Sequence, residues 1–374
     1  GSRKAQVALV VYEMKIPPSH HATLRSAIRL LLSQASRPVR RPGQDQPIDV
    51  RADLTHLELN GDLAMNMPRR AFSKQLAVSV LAGFTVAKAE ANPSTQRIRL
   101  GGPISKREFD SPETWIKALK LKGYTAANWP FREPVDESTI QAYKAAASKA
   151  NIVIAEVGAW SNPISPDESA RKTAVDFCID RLKVADQLEA RCCVNVSGSR
   201  GSESIGAPHP DNLTTETFDM IVETTRKIID EVQPHRTFYA LEGMPWAHPD
   251  SVDSYLDLIK AIDRRAFAAH FDPVNWINSP QLYFNHGNMI KDAFTRLGEH
   301  IRSCHAKDTK LSTTLTVHLD EVVPGEGNLD YGTYLRELSK LNDVPLMMEH
   351  MKFDEYPLAA EHIRKVGREN DIEM

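Results

Sequence analysis

From residue 97 to its end, the chain repeats one unit: a short apolar run, then a segment with helical periodicity. The runs at 98–103, 124–129, 152–158, 192–197, 237–242, 267–272, 301–305 and 345–349 read as buried strands. Helical patterns follow them near 112–122, 137–149, 167–188, 215–232, 250–263, 287–299, 331–341 and 356–369. A strand followed by a helix favours parallel pairing, because a parallel connection needs a crossover long enough to hold a helix. Eight such units predict an α/β fold, a (β/α)8 TIM barrel. An open doubly wound sheet is the rival. It would carry a Gly-rich phosphate turn after its first strand, whereas this strand ends Gly101-Gly102-Pro103, a poor match to GxGxxG.

The last four strands end in polar residues of one chemical kind. The sequence reads Leu241-Glu242-Gly243, Phe271-Asp272-Pro273, Cys304-His305-Ala306-Lys307-Asp308 and Met348-Glu349-His350. A barrel of parallel strands brings these ends to one face. Two or three carboxylates and an imidazole around a point suit a divalent metal, manganese first, with magnesium, cobalt or zinc as alternatives. Glu242, Asp272, His305 and Glu349 are therefore the expected ligands. Glu242 and Glu349, ending strands five and eight, can flank the ion and are the expected acid/base pair.

Further residues fall at the same face: Asn128, Glu156, Trp160, His209, Trp246, His248, Asn275 and Lys307. Aromatic walls with amides and a few charges suit a sugar, which offers hydroxyls to bond and C–H faces to stack. These are the expected substrate-binding residues. Each also has a plain structural reading: core filling for a Trp, a rim ion pair for Glu156, solvation for His209, a salt bridge to Asp308 for Lys307. The turn Pro324-Gly325-Glu326-Gly327, in the long connection after strand seven, is placed to lean over the site.

The 374 residues are 41% hydrophobic and 25% charged, as in an ordinary globular protein, with a net charge of −3. The charge is unevenly spread. Residues 1–89 hold 13 Lys and Arg against 6 Asp and Glu, leaving 33 against 43 in the rest. So acidic a body argues against a nucleic-acid partner. The cysteines Cys178, Cys192, Cys193 and Cys304 show no CxxC spacing and are expected to be buried free thiols. Residues 1–64 read as a flexible or non-native extension. Residues 65–91 read as a twin-arginine export signal: Arg69-Arg70, an apolar core from Leu76 to Val86, and Ala87-Lys88-Ala89 as a cleavage site. The catalytic domain is then 92–374, periplasmic or secreted; without export it would be cytoplasmic. The apolar core is too short for a membrane span, so none is expected in the mature protein. Assembly into a homo-oligomer is compatible with the sequence.

With Glu, Asp, His and Glu at its strand ends, the barrel resembles the sugar phosphate isomerase/epimerase superfamily, the xylose-isomerase-like TIM barrels. Within it the chain resembles the ketose 3-epimerases, hydroxypyruvate isomerase and the inosose-dehydratase-like members. His305-Ala306-Lys307-Asp308 resembles the His-x-Lys-Asp of the last of these, and 324–330 resembles a Pro-Gly-x-Gly-x-x-Asp segment. The resemblance implies one metal on Glu242, Asp272, His305 and Glu349. Three positions depart from the epimerases: Asn275 stands for a histidine, Leu311 for an arginine and His248 for a glutamate. The expected activity is metal-dependent isomerisation or epimerisation of a keto-sugar or polyol through an enediolate. The alternative is a metal-dependent lyase or dehydratase working by β-elimination. A phosphodiester hydrolase or a non-catalytic sugar-binding barrel ranks below both.

Overall fold

A computed structural model describes residues 97–374. The expectations for 1–64 and 65–91, including the export signal, lie outside the described residues.

Eight parallel strands close into a barrel. They are β1 (Arg99–Gly101), β2 (Ala126–Asn128), β3 (Val153–Gly158), β4 (Cys192–Val196), β5 (Tyr239–Glu242), β6 (Phe267–Phe271), β7 (Ile301–Ala306) and, last in the chain, β10 (Pro345–Met348). Each pairs with its sequence neighbour, and β10 pairs with both β7 and β1 to close the ring. Closure leaves the barrel without a free edge. The eight expected strands are all present, as are the helices between them.

Local chemistry explains the helix starts. Ser111 makes a capping box with Thr114, with Pro112 opening the helix Pro112–Leu121. Asp136, Thr214 and Ser251 cap later helices in the same way, each accepting a backbone N–H from the first turn. The cap of Glu168–Leu188 is Asp167, whose carboxylate accepts from the Ala170 N–H at 2.7 Å. A charged acceptor suits the positive end of a helix better than a hydroxyl.

The main core lies between the barrel and its helices, where Leu100, Trp115, Leu182, Ile228, Tyr255, Leu258, Leu335 and Ile363 are nearly or fully buried. The apolar part of the barrel interior is mostly small side chains, Ala126, Ala155, Cys192, Val194, Ala240 and Ala268, with the larger Met347 among them. All four cysteines are buried and free, as expected.

Two features depart from the period-two reading. Ala127 pairs with Ile154 but Asn128 with Glu156, so β3 carries one extra residue, a bulge. Ala269 pairs with Ile301 but His270 with Ser303, so β7 carries another. A bulge reverses which side of the sheet the following residues face. The third difference concerns the connection after β7. It forms an antiparallel hairpin, β8 (Asp308–Leu311) with β9 (Leu319–Val322), rather than an irregular loop. Among the described residues, no helix is long and apolar enough to cross a membrane.

Candidate metal centre

Glu242 is the last residue of β5, and Asp272 and Glu349 directly follow β6 and β10. His305 lies in β7, one register step from the end of its pairing with β10. Side chains two apart on a strand share a face. Ala240 and Glu242 thus project into the barrel, as do Ala268, His270 and Asp272. Gly243 follows Glu242 because a Cβ there would fall 2.1 Å from the Trp276 indole nitrogen. The indole and the chain approach too closely for any side chain.

The four expected ligands meet. His305 Nδ1 lies 3.0 Å from Glu242 Oε1, 2.9 Å from Glu349 Oε1 and 3.7 Å from Asp272 Oδ2. Metal–ligand bonds of about 2.0–2.2 Å put neighbouring ligand atoms roughly 3.0–3.5 Å apart, so these separations suit one ion. Asp272 Oδ1 accepts the Val274 N–H at 2.9 Å, which turns Oδ2 inward. Asp272 Oδ2 and Glu349 Oε1 are buried and accept no hydrogen bond. A buried carboxylate oxygen without a donor is costly, and a bound cation would satisfy both. The residues therefore fit a divalent metal.

Lys307 sits in the same cluster, only 2% exposed. Its Nζ is 2.9 Å from Asp272 Oδ2 and 2.8 Å from Glu349 Oε1, close as ion pairs but not aligned as hydrogen bonds. It lies 3.6 Å from Glu321 Oε2, which the hairpin brings in. Asn275 joins both sides: its amide donates to Glu242 Oε1 at 3.0 Å and its oxygen accepts from Lys307 at 3.3 Å. The three ligand carboxylates alone would balance a dication and the Lys307 ammonium with neutral His305, and Glu321 adds one further negative charge at the edge.

The electrostatics reflect this crowding. Burial works against the charged form of each group, but the opposite charges nearby win. Glu349 is held down at about 2 by His305 and Lys307 despite its burial. Asp272 is likewise held below the ordinary carboxylate range, by Lys307 and His305. Burial alone would lower His305 and Lys307; the surrounding carboxylates push both well above their usual values.

Lys307 does not pair with Asp308. Asp308 instead accepts the backbone N–H groups of Thr309, Gly325, Gly327 and Leu329 at 2.8–3.2 Å. It anchors the glycine turn: Gly325 has φ +100°, and a Cβ on Gly327 would fall 2.3 Å from Asp308 Oδ1. Glu326 lines an open pocket of about 490 Å3 with Glu321 and His350. His350 Nδ1 lies 3.2 Å from Glu321 Oε1. Glu321 and His350 were not among the expected residues; the hairpin pairing brings Glu321 here, while His350 directly follows Glu349 after β10.

The remaining expected residues scatter. Glu156 is buried inside the barrel below the centre, not on the rim. Its Oε1 accepts from Ser303 at 2.5 Å and contacts His270 Nε2 at 3.0 Å; its Oε2 lies 3.4 Å from His305 Nε2. Burial would raise this carboxyl, but the imidazoles of His305 and His270 hold it well below its usual range. Its position at the end of the third apolar run put Glu156 on the substrate face; the β3 bulge turns it inward. Asn128 lines a small cavity of about 130 Å3 with Trp115 and Trp129. Trp160 borders a groove of about 980 Å3 with Arg132, Asn162 and Phe177, whose lining includes none of the four ligands. Trp246 donates to the Gly206 carbonyl at 2.6 Å. His248 packs edge-on against Phe218 and is 3.0 Å from Ser254 Oγ. His209 caps the short turn Pro210–Leu213. Of the eight expected substrate-binding residues, then, Lys307 and Asn275 touch the four ligands on the open side and Glu156 touches them from below.

A closed parallel barrel with three carboxylates and an imidazole converging at its strand ends defines a TIM-barrel protein with a metal-competent acidic centre. Residues 115–366 match the family model described as xylose isomerase-like TIM barrel, and the chain belongs to that family. No curated protein matches it significantly in sequence. Among solved structures, it resembles a xylose isomerase-like TIM barrel protein from Mycobacterium smegmatis in complex with magnesium (TM-score 0.53, 14% identity, 74% of this chain and 97% of that one). It also resembles a D-psicose 3-epimerase from Clostridium cellulolyticum H10 with D-tagatose (0.54, 15%, 74% and 100%). A third is a probable 3-DHS dehydratase from Bacillus anthracis (0.53, 13%, 71% and 97%).

Proposed function

We propose that the protein is an enzyme, a divalent-metal-dependent isomerase or epimerase of a keto-sugar or related polyol. The observation that carries this reading is the convergence of Glu242, Asp272, His305 and Glu349 on one point, where Asp272 Oδ2 and Glu349 Oε1 make no aligned hydrogen bond and face the Lys307 ammonium. The epimerase among the similar structures supports it. Bound there, a metal would polarise a substrate carbonyl and so acidify the neighbouring C–H.

The chain's own residues supply the rest. One of Glu242 and Glu349 takes the proton from carbon, and the other, after taking up a proton from solvent, delivers it to the opposite face or to the adjacent carbon. Glu349, held low by His305 and Lys307, is ionised at neutral pH but a weak base, so the acidified C–H must carry most of the transfer. Asn275 fixes Glu242 through its amide. Lys307, which keeps its proton, offers positive charge to an oxygen that becomes anionic. Asp272 serves to hold the ion. We further propose, from Arg69-Arg70 and the apolar segment behind them, that the protein is exported already folded.

A dehydratase is the second reading, favoured by the Lys307 ammonium within the carboxylate cluster and by the dehydratase among the similar structures. The same proton abstraction is then followed by loss of a hydroxyl from the next carbon, as water. Incubation with keto-sugars and Mn2+ in D2O, followed by NMR, tests both. Solvent deuterium at an inverted or isomerised carbon supports the first reading. An unsaturated ketone supports the second. Turnover with neither sinks the proton-transfer mechanism.

A further inference from the structure

Beneath the centre lies a group of polar side chains that the proposed chemistry does not use. Glu156, His270 and Ser303 are at most 3% exposed, among alanines and Cys192. A carboxylate in such surroundings is retained only when donors surround it. Here they do. Ser303 donates to Glu156 Oε1 at 2.5 Å, and His270 Nε2 approaches the same oxygen at 3.0 Å. That leaves Oε2 for one more donor, and the atom facing it is His305 Nε2, at 3.4 Å.

We propose that Glu156, clamped by Ser303 and His270, is a positioning residue that sets the tautomer and the ring orientation of His305. A neutral imidazole carries one proton, on either nitrogen. The Nδ1 of His305 faces Glu242, Asp272 and Glu349, and an ion held there needs its lone pair. The proton must then stand on Nε2, and an ionised carboxylate, which can only accept, keeps it there. The ring of His270 packs edge-on against that of His305, centroids 4.0 Å apart and planes at 69°, and so limits its tilt. Both bulges serve this arrangement: the one in β3 aims Glu156 inward, and the one in β7 does the same for Ser303 and His305. The competing idea is a second metal on Glu156, His270 and His305, whose ligand atoms also cluster within 4.8 Å. Contacts of 2.5–3.4 Å with a hydroxyl and two imidazoles already account for both carboxylate oxygens, so we favour the hydrogen-bonded clamp.

This inference rests on the metal-centre reading, and one titration separates the two. The full chain, stripped of metal, is titrated with Zn2+ against a chromophoric chelator, and the zinc-loaded protein with 15N-labelled histidine is studied by NMR. The wild type should bind one equivalent and show a downfield, slowly exchanging His305 Nε2–H. Glu156→Gln should bind roughly 10–100-fold more weakly, with that proton shifted or lost. Ser303→Ala, which leaves Glu156 in place with one donor fewer, should weaken binding several-fold and serves if the first variant does not fold. Wild-type affinity in a folded variant overturns the proposal, as does weaker binding with an unchanged Nε2–H signal. A second equivalent in the wild type, lost in Glu156→Gln, overturns it in favour of two metals. No binding by the wild type removes the metal centre itself.

Discussion

Strands β1–β4 and strands β5–β7 with β10 share one architecture but not one chemistry. The second set ends in Glu242, Asp272, His305 and Glu349, all within reach of one point. The first set ends in Gly101, Asn128, Gly158 and Val196, and its rim borders the groove at Trp160 and Phe177. One strand-and-helix architecture thus supplies a charged centre on one side and a groove on the other. The lesson is that the fold places strand ends, and the residues chosen there decide what each half does.

The comparison can be broken most sharply in the second half. Asp272→Ala or His305→Ala should abolish stoichiometric metal binding and activity, as read by elemental analysis after dialysis. If either variant keeps a full equivalent, the ligand set is wrong. Glu242→Gln and Glu349→Gln should retain metal at reduced affinity but lose about 10²–10⁴ in turnover. Lys307→Met comes next: metal retained, turnover down about 10²-fold. A mutant with unchanged turnover would show Lys307 to be a structural counter-ion only.

The carboxylates also predict a pH dependence. Glu349 moves from an ordinary 4.5 to about 2 in the folded protein. Its contribution to stability is therefore full above about pH 4.5 and lost as pH falls toward 2. Removing its charge with Glu349→Gln should flatten the acid limb of the melting-temperature profile of metal-free protein. In the same metal-free state His305 holds its proton more tightly than usual, so metal affinity should rise with pH as that proton leaves. The smallest effects belong to the first half. Trp160→Ala should raise KM by roughly 3–10-fold while leaving metal content alone, because one aromatic wall contributes about 1 kcal/mol of stacking. Loss of metal in that variant would show that the two halves are not separable.

The sequence by itself determined the barrel and its metal-competent ring. Eight apolar runs separated by helix-length segments admit few architectures, and a strand end is visible as the point where an apolar run meets a charge. Glu242, Asp272, His305 and Glu349 were legible for that reason. What the tertiary structure decided were the facing and the partners. One extra residue in β3 and one in β7 invert the side-chain alternation, and a period-two pattern carries no mark of a bulge. Glu156 therefore moved from the expected rim to the interior, under His305. Lys307 exchanged its sequence neighbour Asp308 for Asp272 and Glu349, because consecutive residues face opposite ways and Asp308 turns to the amides of the Gly325–Gly327 turn. Glu321 entered the site only through the pairing of β8 with β9, a long-range register that local sequence does not encode.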